Sequence, residues 1–342
     1  MRAAFFEGPG TIVVIDTPDP VCPPGGLLTR VEACAICGSD LRSFEAGSKH
    51  QGQIIGHETI ATVIEVGEGV RGFKVGDRVA DCPVTCGKCK YCKAGSNNLC
   101  LQRGRVGGRP QGGFAELRPV LASAVQGGFV VKVPGDILPE HATLIEPLAC
   151  VINGQEKLVW RPGASVAILG AGPIGILHLI LAKRQGAGKT VLVDLKDERL
   201  ELARQFGPDY LLNGSRQDPV DETFRITRGE GMDIVIVACV SARAQAQALE
   251  MAGRMGQVLF FSGLPETSPM VTLNTNLIHY HELRVVGARS SVKRQWDAAL
   301  EMIRLGAVDA GAIVTHTVSL EDIVEGFELA RSGKALKVAV KP

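Results

Sequence analysis

The run "SVAILGAGPIGILHLILAKRQGAGKTVLVDL" at residues 165–195 decides the fold. It reads as a five-residue apolar strand, a glycine turn, a helical stretch and a second apolar strand. In "GAGPIG", Gly170 permits the turn, Gly172 lets the backbone approach a pyrophosphate, and Gly175 lets helix and strand pack closely. The helix start offers unpaired N–H groups and a positive dipole end to phosphates. Asp194 closes the second strand nineteen residues after Gly175. Its carboxylate accepts from a ribose 2′-hydroxyl and repels a 2′-phosphate, so NAD is expected before NADP. Lys196 and Arg199 work against that preference, because cations there can hold the extra phosphate.

The same rhythm continues outward through "YLLN", "DIVIVACV" with an Ala/Gln-rich helix, "QVLFFSG" and "LRVVGA". Candidate strands fall at 165–169, 190–194, 210–213, 233–238, 257–261 and 284–287. Apolar strands alternating with helices predict a parallel, doubly wound sheet, and six is the count of a complete dinucleotide-binding fold. Upstream, short apolar runs between Gly and Pro (Ile12–Ile15, Leu27–Val31, Ile60–Val66, Arg78–Ala80, Val130–Val133) predict a mostly β region. Downstream, "SLEDIVEGFELARSGKALKVAVKP" predicts a helix capped by Ser319 and a strand at Leu336–Val340 that packs back on the first region.

Composition narrows the function. Apolar residues at 45% are enough to fill two cores in 342 residues. A net charge of +1 without a basic tract gives no footprint for nucleic acid. No apolar run reaches the roughly eighteen residues of a membrane helix, and "MRAAFFEGPGTIVV" lacks a signal-peptide core. A cytoplasmic protein is expected, and ten cysteines in a reducing compartment point to metal rather than disulfides.

Five of those cysteines lie in "CPVTCGKCKYCKAGSNNLC", residues 82–100. Cys86, Cys89, Cys92 and Cys100 have the C-x2-C-x2-C-x7-C spacing that lets four thiolates close around one ion. Zinc is expected, with iron the alternative; a closed site has no position for substrate, so its role is structural. Cys82 falls outside the spacing and reads as a packed residue. A catalytic zinc needs about three protein ligands and an exchangeable position. Soft or borderline donors stand in "CAICGSDL" (Cys37, with Ser39 and Asp40), "IIGHETI" (His57, Glu58) and "LIEPLACV" (Glu146, Cys150). Cys34 and His178 read as packed residues.

"CGSDL", "GHE", the four-cysteine loop, "VGDRV", "GGFAE", "EPL" and "GAGPIG" occur in the order seen in zinc-dependent medium-chain dehydrogenases. The chain resembles that family over essentially its whole length, and most closely its polyol (sorbitol), threonine and glucose dehydrogenase branches. The resemblance implies a GroES-like, mostly β catalytic domain at 1–152, completed by 290–342, and a Rossmann NAD-binding domain at 153–289. It implies two zinc ions per chain, with Cys37 and His57 as ligands of the catalytic one. Glu58 and Glu146 are then carboxylates that ligate the metal or hydrogen-bond its water, with Cys150 a rival to Glu146. Ser39 resembles the proton-relay hydroxyl, and Asp40 can orient His57. Further cofactor contacts are implied at Pro173, Ile174, Arg199, Cys239, Gly263, Leu264 and Ala288. A homodimer or homotetramer is implied, paired along residues 284–288.

Three positions depart from the family pattern. Ala61 replaces a common glycine, Arg42 a common histidine, and Ser43 a residue that is aromatic in sorbitol dehydrogenases. Arg42 can offer its fork of donors to an anionic substrate group. The expected activity is hydride transfer from a secondary alcohol (a polyol or sugar derivative, free or phosphorylated) to NAD, giving a ketone. Threonine-type amino-alcohol oxidation is the near alternative, and a non-catalytic zinc and nucleotide sensor the distant one.

Overall fold

The computed structural model describes residues 1–47, 50–104, 106 and 111–342. The chain forms two compact units, Met1–Ala149 with Ser291–Pro342, and Cys150–Ser290. In the second, a six-stranded sheet runs Tyr210–Asn213, Lys189–Asp194, Ser165–Leu169, Met232–Val237, Ala252–Phe260, Arg284–Gly287. Every neighbouring pair is parallel. Val166, Ala167 and Ile168 of the central strand are wholly buried, as a strand covered on both faces must be.

The glycine turn has the conformation its sequence requires. Gly170 has φ +114°, and a Cβ on Gly175 would collide with the Gly170 carbonyl oxygen. Helix Pro173–Arg184 can therefore lie directly on the central strand. At the opposite sheet edge, carboxylates tie strand starts together. Asp233 accepts from the N–H and hydroxyl of Ser165, and Asp209 from those of Thr190, each at 2.7 Å. The fifth strand starts at Ala252, five residues earlier than the apolar pattern suggests. Ala252 pairs with Met232, and the register then shifts so that Ile234 meets Gln257. The irregular stretch includes Met255 at φ +59°.

The first unit holds a sheet ordered Val314–Ser319, Lys337–Lys341, Leu27–Ala35, Glu58–Val66, Arg78–Asp81, Val130–Lys132, with Leu117–Val120 also on Leu27–Ala35. A smaller sheet joins Thr11–Asp16, Arg2–Gly8 and Gln53–Ile54. Strand Lys337–Lys341 runs antiparallel to Leu27–Ala35, with Ala339 opposite Ala35. Ser319 accepts from the Asp322 N–H at 3.2 Å, but on a turn ahead of helix Ile323–Ser332. Phe327 of that helix stacks on Phe44, ring centroids 5.0 Å apart, and meets Phe114 edge-on at 5.9 Å. Phe44 belongs to helix Gly38–Ala46, so this aromatic cluster anchors the helix that begins at the candidate ligand Cys37.

His178 is packed, as its place on an apolar helix suggests. Its Nδ1 lies 3.2 Å from the Gln155 side-chain nitrogen, a donor, so Nδ1 accepts and the proton sits on Nε2. Phe261 stands edge-on to the ring at 4.6 Å. Burial pushes the His178 pKa down to about 3. An unfolded chain takes up this proton near the ordinary value of 6.5, whereas the folded one refuses it until about 3. Stability from this residue is therefore complete above pH 6.5 and falls with acidification, by up to about 1.4 kcal/mol per pH unit. Denaturant titrations between pH 6.5 and 4 are expected to show a shallower acid loss for His178→Leu than for the natural chain; identical slopes would refute this.

Candidate active site

Cys37 sits just past strand Leu27–Ala35, at the N-terminus of helix Gly38–Ala46, where its Sγ accepts from the Ser39 N–H at 3.5 Å. Asp40, in the first turn, is 6% exposed. Its Oδ2 accepts from the Cys37 N–H at 3.0 Å, and its Oδ1 lies 3.5 Å from His57 Nδ1. One buried carboxylate thus braces both candidate ligands. Gly56 turns the chain into His57 at φ +98°, where a Cβ would come within 2.8 Å of Cys34 Sγ. Glu58 then opens strand Glu58–Val66, opposite Ala35.

Ligand atoms of Cys37, His57 and Glu58 all lie within 4.8 Å of one another. A thiol, an imidazole and a carboxylate so placed are a fitting donor set for zinc. The surrounding protein opposes protonation of His57, but the charges of Asp40 and Cys37 outweigh it and raise the pKa well above the ordinary value. A cation here would compete with a proton for the imidazole. Glu146 stands in the first turn of helix Ile145–Gln155, half-buried and outside this group. Its charge nevertheless reaches Glu58. Cys150 lies four residues along the same helix, also half-buried.

A residue invisible to motif reading completes the group. Ala35 faces Ala339 and the Ile36 N–H donates to the Val338 carbonyl, so the same register sets Lys337 beside Cys37. The Lys337 ammonium contacts both oxygens of Glu58, at 2.6 and 2.5 Å, with both side chains almost fully buried. Burial pushes the Glu58 pKa up against the pull of Lys337. Burial presses that of Lys337 down, and the negative charges around it, Glu58 first with Cys37 and Glu146, together reverse the shift. No local signal announces a partner 279 residues away.

The group borders a cleft of about 780 Å³, lined by Ser39, Ser43, His50, Gln53, Gln111 and Trp296 among others. Glu146 and Cys82 also reach it, but Arg42 is exposed and does not line it. Arg118 also lines it, but its buried guanidinium is spent on Asp81 and on the Gln111 carbonyl.

Cys86, Cys89, Cys92 and Cys100 form the second group. Sulfur–sulfur separations include 3.5, 3.6 and 4.0 Å. Thiolates about 2.3 Å from a zinc ion are about 3.8 Å apart in a tetrahedron, so the cage fits the ion. Backbone N–H groups from Cys92 and Leu101 pull the Cys89 pKa down to about 6. Cys82 stays outside the cage, its thiol pushed up to about 12 by burial.

In the second unit the candidate cofactor residues gather at the C-terminal ends of the parallel strands, where such sheets bind ligands. Asp194 accepts from the N–H groups of Ala171, Leu195 and Lys196 at 2.8, 2.8 and 3.1 Å. It thereby ties the glycine turn to the next strand. The Arg199 guanidinium lies over Gly172, 3.5 Å from where a Cβ would stand. Cys239 packs against Gly170, and burial raises its thiol to about 11. Pro173 and Ile174 start the helix, Gly263 and Leu264 follow strand Ala252–Phe260, and Ala288 follows Arg284–Gly287. No helix among the described residues is long and apolar enough to cross a membrane.

Two family models match this chain: the alcohol dehydrogenase GroES-like domain over residues 23–135, and the zinc-binding dehydrogenase over 173–304. L-threonine 3-dehydrogenase of Pyrococcus abyssi is 35% identical over 96% of this chain and 93% of its own length. Sorbitol dehydrogenase of Bacillus subtilis is 33% identical, covering 100% and 97%. A zinc-binding dehydrogenase from Sinorhizobium meliloti, solved bound to NADP, is 29% identical with a TM-score of 0.89, covering 100% and 99%. Matched by both family models and by relatives at 33–35% identity over nearly its full length, the chain belongs to the zinc-dependent medium-chain dehydrogenase/reductase family and is an oxidoreductase acting on CH–OH groups.

Proposed function

We propose that this protein oxidises a secondary alcohol of the polyol or sugar-derivative class, free or phosphorylated, to the ketone, with NAD as acceptor. The observation that carries this reading is the grouping of Cys37, His57 and Glu58 within 4.8 Å beside a cleft that carries hydroxyl and amide side chains. Cys37 and His57 would hold zinc, with a carboxylate of Glu58 or Glu146 next to it. Zinc bound there supplies Lewis acidity toward an alcohol oxygen, and NAD the hydride acceptor.

The chain's own residues supply the rest. Asp40 fixes the two ligands in orientation, and Ser39, on the cleft wall, carries the hydroxyl proton away. Ser43, His50, Gln53 and Gln111 offer polar groups to further hydroxyls. Arg118 is already paired and Arg42 lies off the cleft wall, so neither offers an anion site, whereas Arg103 does line the cleft and keeps phosphorylated polyols within the substrate class. Asp194 favours NAD, while Arg199 near the glycine turn works against a strict preference. The four-cysteine zinc would pin its loop without entering the chemistry. A homodimer or homotetramer paired along residues 284–288 is part of this reading. Amino-alcohol oxidation is the second reading, favoured by the 35% identity to the threonine enzyme.

A rate screen with NAD across polyols, polyol phosphates and threonine tests the proposal. A polyol or polyol phosphate should lead threonine in kcat/KM by about tenfold or more, the low end of the discrimination that one small contact difference gives. Threonine leading would establish the second reading instead. Arg42→Ala should change neutral and phosphorylated substrates alike; selective loss of the phosphorylated ones would restore the anion role. Elemental analysis should find two zinc per chain, still two in Cys150→Ser and one in His57→Ala. One zinc in Cys150→Ser would make Cys150 the ligand.

A further inference from the structure

The ion pair between Lys337 and Glu58 has no place in the chemistry above, yet it is among the most deeply buried charge pairs of the first unit. The side chains are 4% and 0% exposed. Strand Lys337–Lys341 otherwise buries Val338, Ala339 and Val340, all wholly enclosed and apolar. A buried pair of this kind gives little net stability over an apolar pair of the same size. A lysine here therefore needs a reason beyond packing. The register supplies one, since it sets the ammonium beside Cys37 and against the carboxylate that neighbours His57.

We infer that Lys337 is a positioning residue of the metal centre, fixing Glu58 against Cys37 and His57 and weakening its pull on the cation through a fixed positive charge. The inference rests on the metal reading above. A Cys37 thiolate and a Glu58 carboxylate beside one divalent ion would neutralise its charge. The ammonium takes up the Glu58 charge instead, so the ion stays electron-poor and bound no more tightly than the ligands require. Lys337 touches neither substrate nor cofactor in this role. Its influence passes through Glu58.

The sign of the effect separates this role from a merely structural one. Loss of a packing residue loosens the site and speeds metal release, whereas loss of a cation that opposes the metal slows it. The experiment follows release of both metals from the purified full chain to a chelator, using Co²⁺-substituted protein so that the visible spectrum reports the ligand field. The four-cysteine ion serves as an internal control. Lys337→Met should slow release from the Cys37–His57 site about tenfold and alter its Co²⁺ spectrum, the scale of changes around metal ligands. Lys337→Arg should restore both properties, and the double variant K337M/E58Q should lose the gain. Release from K337M at the natural rate or faster, or K337R behaving as K337M, overturns the inference.

If circular dichroism shows K337M unfolded, Glu58→Gln in the natural chain decides. It leaves the ammonium beside the metal without its carboxylate, and release should speed about tenfold. An unchanged rate overturns the inference. A natural chain that holds metal only at the four cysteines overturns the metal reading itself. Two metals with K337M indifferent overturns this inference alone.

Discussion

The antiparallel register that sets Ala339 against Ala35 is the constraint on which the first unit depends. Strand Leu27–Ala35 has neighbours on both sides, so its final residues are held as firmly as its middle. Cys37 follows directly, and Asp40 closes a cap over it. Glu58 enters from the next strand, opposite Ala35. Donors far apart in sequence thereby reach one point without a dedicated loop. The aromatic contacts of Phe327 with Phe44 and Phe114 hold the same junction from its apolar side.

The second unit is governed by a steric exclusion instead. Where Gly175 meets the Gly170 carbonyl no side chain fits, and the helix settles on the central strand at the only spacing open to it. Asp194 then spends its oxygens on backbone N–H groups of the turn and of its own strand end. This carboxylate is a structural brace as well as a candidate ribose acceptor. The two roles constrain each other, because a residue that braces the turn cannot be exchanged freely to alter cofactor choice.

Much of this architecture was legible because its causes are local. Strand, glycine turn and Asp194 lie within thirty-one residues, and the four-cysteine cage within fifteen. Apolar periodicity located every strand of the parallel sheet, and missed by a few residues where pairing rather than hydrophobicity sets the limit, as at Ala252. Lys337 and the Asp81–Arg118 pair could not be read this way. Each is a charged residue whose burial depends on a partner that only the folded sheet supplies. For Arg42 the difficulty was one of direction: a motif position next to the ligand helix does not say which way the side chain leaves it. The division of labour between Glu146 and Cys150, four residues apart on one helix, is hidden for the same reason.

The two candidate metal groups also differ in when they can assemble. The four-cysteine cage spans Cys86 to Cys100 and needs only its own loop. Glu58 must wait for Lys337, 279 residues later in synthesis, a delay of about 15–55 s at ordinary elongation rates. Throughout that interval the whole six-stranded parallel sheet is made while Glu58 lacks the cation that accompanies its burial. The order of emergence thus lets one centre form within its own loop and keeps the other open until the interrupted domain is joined.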